Sequence, residues 1–143
     1  MAVVVEKVQK VTSDVVSAFE NLIPQLSRSN PAPTEAELSD IVTSPASDLF
    51  VALVEGNIVG SLTLVTFRIP TGIRAWIEDV VVDESARGHG VGEALNNAAI
   101  EEARRKGAVT IDLTSRPSRE AANRLYQRIG FVQRDTNVYR YSL

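Results

Sequence analysis

A six-residue stretch, Arg87 to Gly92, combines residue types that suit the binding of a phosphate group. It places three glycines, Gly88, Gly90 and Gly92, beside one arginine. Glycine lets backbone N–H groups approach a ligand closely, because no Cβ stands in the way. The free N–H groups and the dipole at the start of a following helix then favour an anion. The stretch therefore predicts a loop that holds a pyrophosphate through its backbone.

Three known phosphate-binding loops come near this pattern, and two of them fit poorly. A Walker loop requires Lys-Ser/Thr after its glycines, whereas Gly92 is followed by Glu93 and Ala94. A dinucleotide loop requires G-x-G-x-x-G, whereas the spacing from Gly88 is G-x-G-x-G. The third loop, R/Q-x-x-G-x-G/A, matches Arg87, Gly90 and Gly92 position by position.

A second motif, N-x-x-Y-x-x-x-G-F, lies about thirty residues further on and is formed by Asn123, Tyr126, Gly130 and Phe131. A tyrosine phenol can donate a proton in catalysis, which typically contributes about 10²- to 10⁴-fold. The same tyrosine could also simply pack and form a hydrogen bond, as buried tyrosines often do.

Composition limits the classes of function that remain. The 143 residues fit one domain, residues 1–143, and the net charge of −3 argues against a nucleic-acid-binding protein. The chain has no cysteine and one histidine, His89, so we expect no metal centre and no Ser-His-Asp triad. We see neither a signal-peptide pattern nor an apolar run of membrane-spanning length, and we expect a cytoplasmic protein without a membrane partner.

Hydrophobic periodicity and capping residues predict the elements that must position these motifs. The first half is expected to contain a strand at 2–8, helices from Thr12 or Ser13 to Leu26 and from Thr34 to Val42, and strands Leu49–Val54 and Ile58–Phe67. The second half is expected to contain a strand from Trp76 through Val82, a helix after Gly92, a strand Val109–Leu113, a helix Arg119–Arg128, and strands Phe131–Arg134 and Val138–Tyr141.

This order, β-α-α-β-β-β-α-β-α-β-β, predicts an α/β fold with one mixed, mostly antiparallel sheet of about seven strands and helices on both faces. Together with the two motifs, the order resembles that of the GCN5-related N-acetyltransferase (GNAT) superfamily across essentially the whole chain. The resemblance implies that acetyl-CoA is the acyl donor, that a primary amine attacks it directly, and that no metal takes part.

The resemblance also implies roles for individual residues. The backbone N–H of Val80 would meet the thioester carbonyl, Val82 would bind the pantetheine arm, and Tyr126 would donate a proton to the departing thiolate. The implied cofactor-binding residues are Val80, Val81, Val82, Arg87, Gly88, His89, Gly90, Val91, Gly92, Ser118 and Asn123. Asn123 is expected to bond either the cofactor or the adjacent loop.

Glu78 is the candidate general base. Strand alternation predicts Trp76, Glu78 and Val80 on one face of the sheet, with Ile77, Asp79 and Val81 on the other. Glu78 would then share the face of Val80 and point into the cleft, directly or through a water. It could equally be a strand-edge carboxylate that faces solvent or pairs with Arg74. Asp79 is a weaker candidate for the same role.

The acceptor is expected to be a small amine. The central strand looks like that of glucosamine-6-phosphate N-acetyltransferases, which is the only hint of its identity. A peptide or protein amine, or a non-catalytic acyl-CoA-binding regulatory module, are the alternatives. A homodimer that pairs through the last strands, with Tyr139, Tyr141 and Leu143, is a further option.

Overall fold

The computed structural model describes residues 2–143, in which five strands, four α-helices and one 3-10 turn are formed. In chain order these are β1 (Val3–Lys7), α1 (Ser13–Leu26), α2 (Glu35–Thr43), β2 (Ser47–Val54), β3 (Asn57–Ile69), β4 (Gly72–Val82), the 3-10 turn Glu84–Ala86, α3 (Val91–Arg105), β5 (Thr110–Asp112) and α4 (Glu120–Ile129). The chain divides into two compact units after Leu113, and these are described separately. The expectation of one domain over residues 1–143 stays a prediction. No helix within residues 2–143 is long and apolar enough to cross a membrane.

All five strands belong to the first unit, where they form one mixed sheet in the order β1-β2-β3-β4-β5. The first four strands pair as antiparallel neighbours, and β5 pairs with β4 in parallel. The parallel pair is short, because it joins only residues 74–76 of β4 to Thr110–Asp112. The rest of β4, up to Val82, extends beyond the end of β5.

Helices cover both faces of this sheet, as the sequence predicted. Leu49 of β2 packs in a core cluster with Phe19 of α1 and Leu38 of α2. Its neighbour Phe50 lines a shallow surface depression together with Ala98 of α3. Since successive strand residues point to opposite faces, α1 and α2 lie on one face and α3 lies on the other.

Two threonines begin the first two helices, and both caps confirm the sequence prediction. The Thr12 hydroxyl accepts a hydrogen bond from the Val15 amide at the start of α1. Thr34 and Glu37 form a reciprocal capping box at the start of α2, with distances of 2.9 and 3.2 Å. Such a cap satisfies amides that would otherwise lack an intrahelical partner.

The C-terminal end of α3 is held to the sheet by a cluster of ion pairs, which we call the α3 ion cluster: Lys7, Asp48, Glu102, Arg105 and Lys106. Lys7 Nζ lies 2.9 Å from Glu102 Oε1, and Lys106 Nζ lies 2.6 Å from Asp48 Oδ2. Both carboxylates are buried. A hydrogen bond from Arg105, supported by Lys7, lowers the pKa of Glu102 to about 2. Charged groups are buried here because each has a partner.

The prediction of about seven strands is wrong. The sheet of residues 2–143 has five, and the observed order has no strands after α4. Residues 131–143, which include the predicted strands Phe131–Arg134 and Val138–Tyr141, adopt neither helix nor strand. A strand requires a hydrogen-bonding neighbour as well as local propensity, and an apolar alternation reports only the propensity. The homodimer considered from Tyr139, Tyr141 and Leu143 stays a prediction.

Candidate functional site

A β-bulge interrupts β4 just before the glycine loop. Glu78 pairs with Thr63 and Val81 pairs with Ser61, so two residues, Asp79 and Val80, stand opposite the single Leu62. Asp79 has φ of +50°, a conformation that few non-glycine residues adopt. Bulges re-aim groups that a regular ladder would fix, and they recur beside active sites.

The bulge corrects the predicted alternation along β4. Asp79 was expected on the face of Ile77 and Val81, but it is exposed whereas those two residues are buried. Glu78 is exposed as well, so two consecutive residues of β4 present carboxylates to solvent. Arg74, the alternative partner considered for Glu78, donates instead to the hydroxyls of Thr71 and Thr110.

The stretch of β4 that follows Trp76 is open on its second edge. β5 ends at Asp112, which pairs with Trp76, so β3 is the only strand beside residues 77–82 in the sheet of residues 2–143. Val81 is buried, while Val80 and Val82 are half-buried. Backbone groups on the open edge of such a strand can bond an extended ligand as another strand would.

The glycine loop that follows is exposed and depends on glycine for its conformation. Gly88, with φ of +83°, and Gly90, with φ of +80°, lie in the left-handed region. His89 between them is exposed, as expected for a variable loop position. A Cβ at Gly88 or Gly90 would meet no protein atom of residues 2–143 within 4 Å. The space beside these glycines is therefore open to a ligand.

Helix α3 begins directly at this loop, with Gly90 as its N-cap. The first intrahelical bond joins the Ala94 amide to the Gly90 carbonyl at 3.0 Å. Glycine has no side chain with which to cap the amides of the first turn, which include those of Val91 and Gly92. The helix therefore presents backbone donors at its positive end, which suits an anion. The exposed Arg87 adds a cation and bonds the Val82 carbonyl through Nε at 3.3 Å.

Gly60, a buried residue of β3, sets how closely this helix start approaches the sheet. A Cβ at Gly60 would lie 3.0 Å from Val91 Cγ1, 3.1 Å from the Val81 carbonyl oxygen and 3.2 Å from Leu95 Cδ1. Sequence reasoning missed this role, although an isolated glycine inside a predicted strand is a known sign of close backbone approach.

The second unit contains Tyr126 in helix α4. Its ring is buried, and it packs edge-to-face on Phe131 with centroids 5.8 Å apart. Burial raises the pKa of the Tyr126 phenol, so the group keeps its proton at neutral pH. Asn123 Nδ2 donates to the carbonyl of Arg116 in the adjacent loop at 2.9 Å. Ser118 is exposed in that loop.

Comparison with known proteins identifies the family of the chain. A model of the acetyltransferase (GNAT) family matches residues 15–131. The chain is 28% identical over 138 residues to glucosamine 6-phosphate N-acetyltransferase 1 of Oryza sativa subsp. japonica, covering 90% of this chain and 82% of that protein. It is 30% identical over 95 residues to N-alpha-acetyltransferase 30 of Schizosaccharomyces pombe, covering 66% of this chain and 63% of that protein.

The solved structures show the same relationship at the level of the fold. The crystal structure of an acetyltransferase from Trypanosoma brucei superposes with a TM-score of 0.80 at 27% sequence identity, covering 99% of this chain and 100% of the other. The match of the family model spans well over half of the sequence and includes both motifs. The chain therefore belongs to the acetyltransferase (GNAT) family and is an N-acetyltransferase.

Proposed function

We propose that the protein transfers an acetyl group from acetyl-CoA to the primary amine of a small molecule. The observation that carries this proposal is the juxtaposition, along one strand–loop–helix segment, of a β-bulge, an exposed glycine loop and an uncapped helix start. Acetyl-CoA, when bound, supplies an activated thioester carbonyl. The remaining work falls to residues that bind, orient and move protons.

The loop is proposed to hold the pyrophosphate of the donor. The open space at Gly88 and Gly90 leaves room for phosphate oxygens, which a Cβ at either position would enter. The backbone amides from Gly88 to Gly92 would donate to these oxygens, and Arg87 would add charge. His89, by its exposed position in the loop, would neighbour the phosphates without taking part in chemistry.

The bulged end of β4 is proposed to hold the rest of the donor. The Val80 N–H lies in the bulge and would bond the thioester carbonyl oxygen, where one well-placed donor can contribute about 3 kcal/mol. Val82 would bond the pantetheine arm along the open edge of the strand. Val81, whose side chain is buried, would support these contacts from the core side. Ser118 and Asn123 remain proposed cofactor contacts from the motif resemblance alone.

Tyr126 is proposed as the proton donor to the departing sulfur. Its phenol is protonated at neutral pH, as a donor must be, and burial raises its pKa further. Glu78 is proposed as the base that accepts the proton of the attacking amine, directly or through water, because its carboxylate is exposed next to the bulge. Asp79 is the second candidate, since the bulge exposes it as well.

A small amino compound is the preferred acceptor class, with amino-sugar phosphates tested first. The relative that aligns over 90% of this chain is named a glucosamine 6-phosphate N-acetyltransferase. A peptide amine is the second candidate, since the shorter alignment is to a protein named an N-alpha-acetyltransferase.

Thiol release from acetyl-CoA, measured across amino sugars, their phosphates, polyamines, amino acids, aminoglycosides and short peptides, tests the proposal. Release with one class of small amine supports it, whereas release with peptides alone would favour the second candidate. A failure of acetyl-CoA to bind, measured by calorimetry, would overturn the assignment of the loop.

The role of Tyr126 has a direct test in Tyr126→Phe, which removes only the hydroxyl. We expect the rate of acetylation to fall at least severalfold, and up to about 10²-fold, with unchanged affinity for acetyl-CoA. Tyr139→Phe, at a side chain that is 88% exposed, serves as the matched control. An unchanged rate in Tyr126→Phe would remove the residue from the mechanism.

A further inference from the structure

A glutamine of helix α1 bonds two groups at the entrance to the glycine loop. Gln25 Nε2 donates to Asp83 Oδ1 at 2.7 Å, and Gln25 Oε1 accepts from the Glu84 amide at 2.9 Å. One side-chain amide therefore uses its donor and its acceptor on two consecutive residues. We call the group of Asn21, Gln25, Asp83 and Ser85 the loop clasp.

Asp83 is the centre of the loop clasp. Its Oδ1 also accepts from Asn21 Nδ2 at 2.9 Å, and its Oδ2 accepts from the Ser85 amide at 3.2 Å and from the Ser85 hydroxyl. The hydrogen bond from the Ser85 hydroxyl, together with those from Gln25 and Asn21, holds the pKa of Asp83 well below its ordinary range. The carboxylate therefore stays ionised, and its charge-assisted bonds are stronger than neutral ones.

The loop clasp stands at one end of the segment that leads to the phosphate loop. The Asp83 amide donates to the Val59 carbonyl at 2.7 Å, which fixes the backbone to β3. The 3-10 turn Glu84–Ala86 then leads directly to Arg87. Helix α1 is itself held to the sheet side by the buried residues Val15, Phe19, Leu22 and Ile23. Helix α1 therefore holds the start of this turn in place through the two bonds of Gln25.

We propose that Gln25 is a positioning residue, which orders the turn after β4 and so preorganises the glycine loop for the pyrophosphate of the donor. This inference rests on the proposed function of the loop. A loop that is ordered before binding loses less conformational entropy on binding, and the ligand is held more tightly. Gln25 touches no reacting atom, and its effect is confined to contacts made through the loop.

The test compares a donor that has the pyrophosphate with one that lacks it. Gln25→Leu keeps the approximate size of the side chain and removes both hydrogen bonds. We expect it to weaken acetyl-CoA binding about tenfold, as a rise in Kd and in KM with little change in kcat. Affinity for S-acetylpantetheine, which has no pyrophosphate, should stay unchanged. Gln9→Leu, the same change at an exposed position, is the control.

Exchanging the amide of Gln25 and the carboxylate of Asp83 distinguishes a positioning effect on binding from a general loss of stability. Gln25→Glu alone places a second carboxylate against Asp83 and should also weaken acetyl-CoA binding. Combining it with Asp83→Asn restores a donor opposite an acceptor, since the new carboxylate can accept from the new amide and from the Glu84 N–H. We expect the double variant to regain most of the lost affinity. This pair decides the question even where Gln25→Leu proves too unstable to measure.

Two results would overturn the proposal. The first is an unchanged Kd for acetyl-CoA in Gln25→Leu at an unaltered melting temperature. The second is an equal loss for acetyl-CoA and S-acetylpantetheine, with no recovery in the double variant. A failure of the proposed function would differ from both, because the unmodified protein would then not bind acetyl-CoA.

Discussion

The two ends of helix α3 treat their polar groups in opposite ways. At the N-terminal end, Gly90 provides no cap and the loop around it is exposed. At the C-terminal end, Glu102 is buried and bonded to Lys7 and Arg105. The backbone N–H groups at the start of a helix have no intrahelical partners, so they are available to a ligand where no side chain caps them. The side-chain charges near the other end of α3 are instead paired with other side chains of the protein. One helix therefore joins an anchored end to the end that we propose binds the donor.

The other two helix starts of the first unit have side-chain caps, unlike the start of α3. Helices α1 and α2 each begin with a threonine whose hydroxyl accepts from the first turn. The Val15 amide of α1 and the Glu37 amide of α2 are bonded in this way, whereas Gly90 has no side chain to do so. The difference teaches that a helix start without a side-chain cap is where the proposed anion site would have free backbone donors. Changes at either end of α3 should accordingly separate ligand affinity from stability.

The largest effect is expected from Gly90→Val. The left-handed backbone at Gly90 is strained for a β-branched residue by about 1–2 kcal/mol, and the side chain would fill the open space beside the amides. We expect acetyl-CoA affinity to fall by at least about 100-fold, equivalent to about 2.7 kcal/mol. Isothermal titration calorimetry measures the loss.

Gly56→Val is the matched control for this change. Gly56 has φ of +79° and, like Gly90, no atom of residues 2–143 within 4 Å of an added Cβ, but it lies in the turn between β2 and β3. We expect a similar loss of stability and unchanged affinity. Equal binding losses in the two variants would show that Gly90 acts through strain alone.

A smaller effect, on stability alone, is expected from Glu102→Gln. The folded pKa of Glu102 is depressed to about 2, so its contribution is fully present above the unfolded value near 4.5 and is lost as pH falls toward 2. At pH 7 we expect a loss of about 1–2 kcal/mol in the free energy of unfolding, because the charge-assisted bonds are removed. Acetyl-CoA affinity should not change.

Denaturant unfolding at several pH values checks this prediction. The difference in the free energy of unfolding between the unmodified protein and Glu102→Gln should decrease as the pH falls from about 4.5 to about 2. Glu101→Gln is the control, since that side chain is 73% exposed and its pair with Arg104 should contribute under about 1 kcal/mol. A difference that stays constant across this range would contradict the assigned ionisation.

The smallest effect is expected at the start of α2. Thr34→Ala removes the hydroxyl that accepts from the Glu37 amide and should lower the free energy of unfolding by about 1 kcal/mol. Thr34→Gly should lower it by only a few tenths of a kcal/mol. Thermal unfolding measures both. Neither variant should alter acetyl-CoA binding, and a change in binding would mean that α2 is coupled to the loop.

Features that depend on local sequence could be predicted, and features that depend on distant partners could not. The caps at Thr12 and Thr34 follow from residue types within four positions, and both are observed. The bulge at Asp79 depends on a two-against-one register with β3, which no pattern within β4 specifies. The bond between Gln25 and Asp83 joins residues 58 positions apart.

The last two predicted strands failed for a related reason. Apolar residues such as Val132, Val138 and Tyr139 have high strand propensity, yet all three are exposed. Propensity over a few residues cannot supply the neighbouring strand that the ladder needs. Glu78 was predicted as a candidate base from alternation, and that role stays a prediction, since its exposure is equally that of the solvent-facing alternative. The same rule misplaced Asp79 because the bulge shifts the register.

Gly60 determines how closely the start of α3, and with it the glycine loop, approaches strand β3. A single methyl group there would force Val91 or the neighbouring backbone to give way by a few tenths of an ångström. If several amides of one helix start bind a ligand, a shift of the helix would change the lengths of all these hydrogen bonds together. A smaller side chain at Val91 or Leu95 would relieve only part of this crowding, because the Val81 carbonyl oxygen lies equally close to the added methyl group.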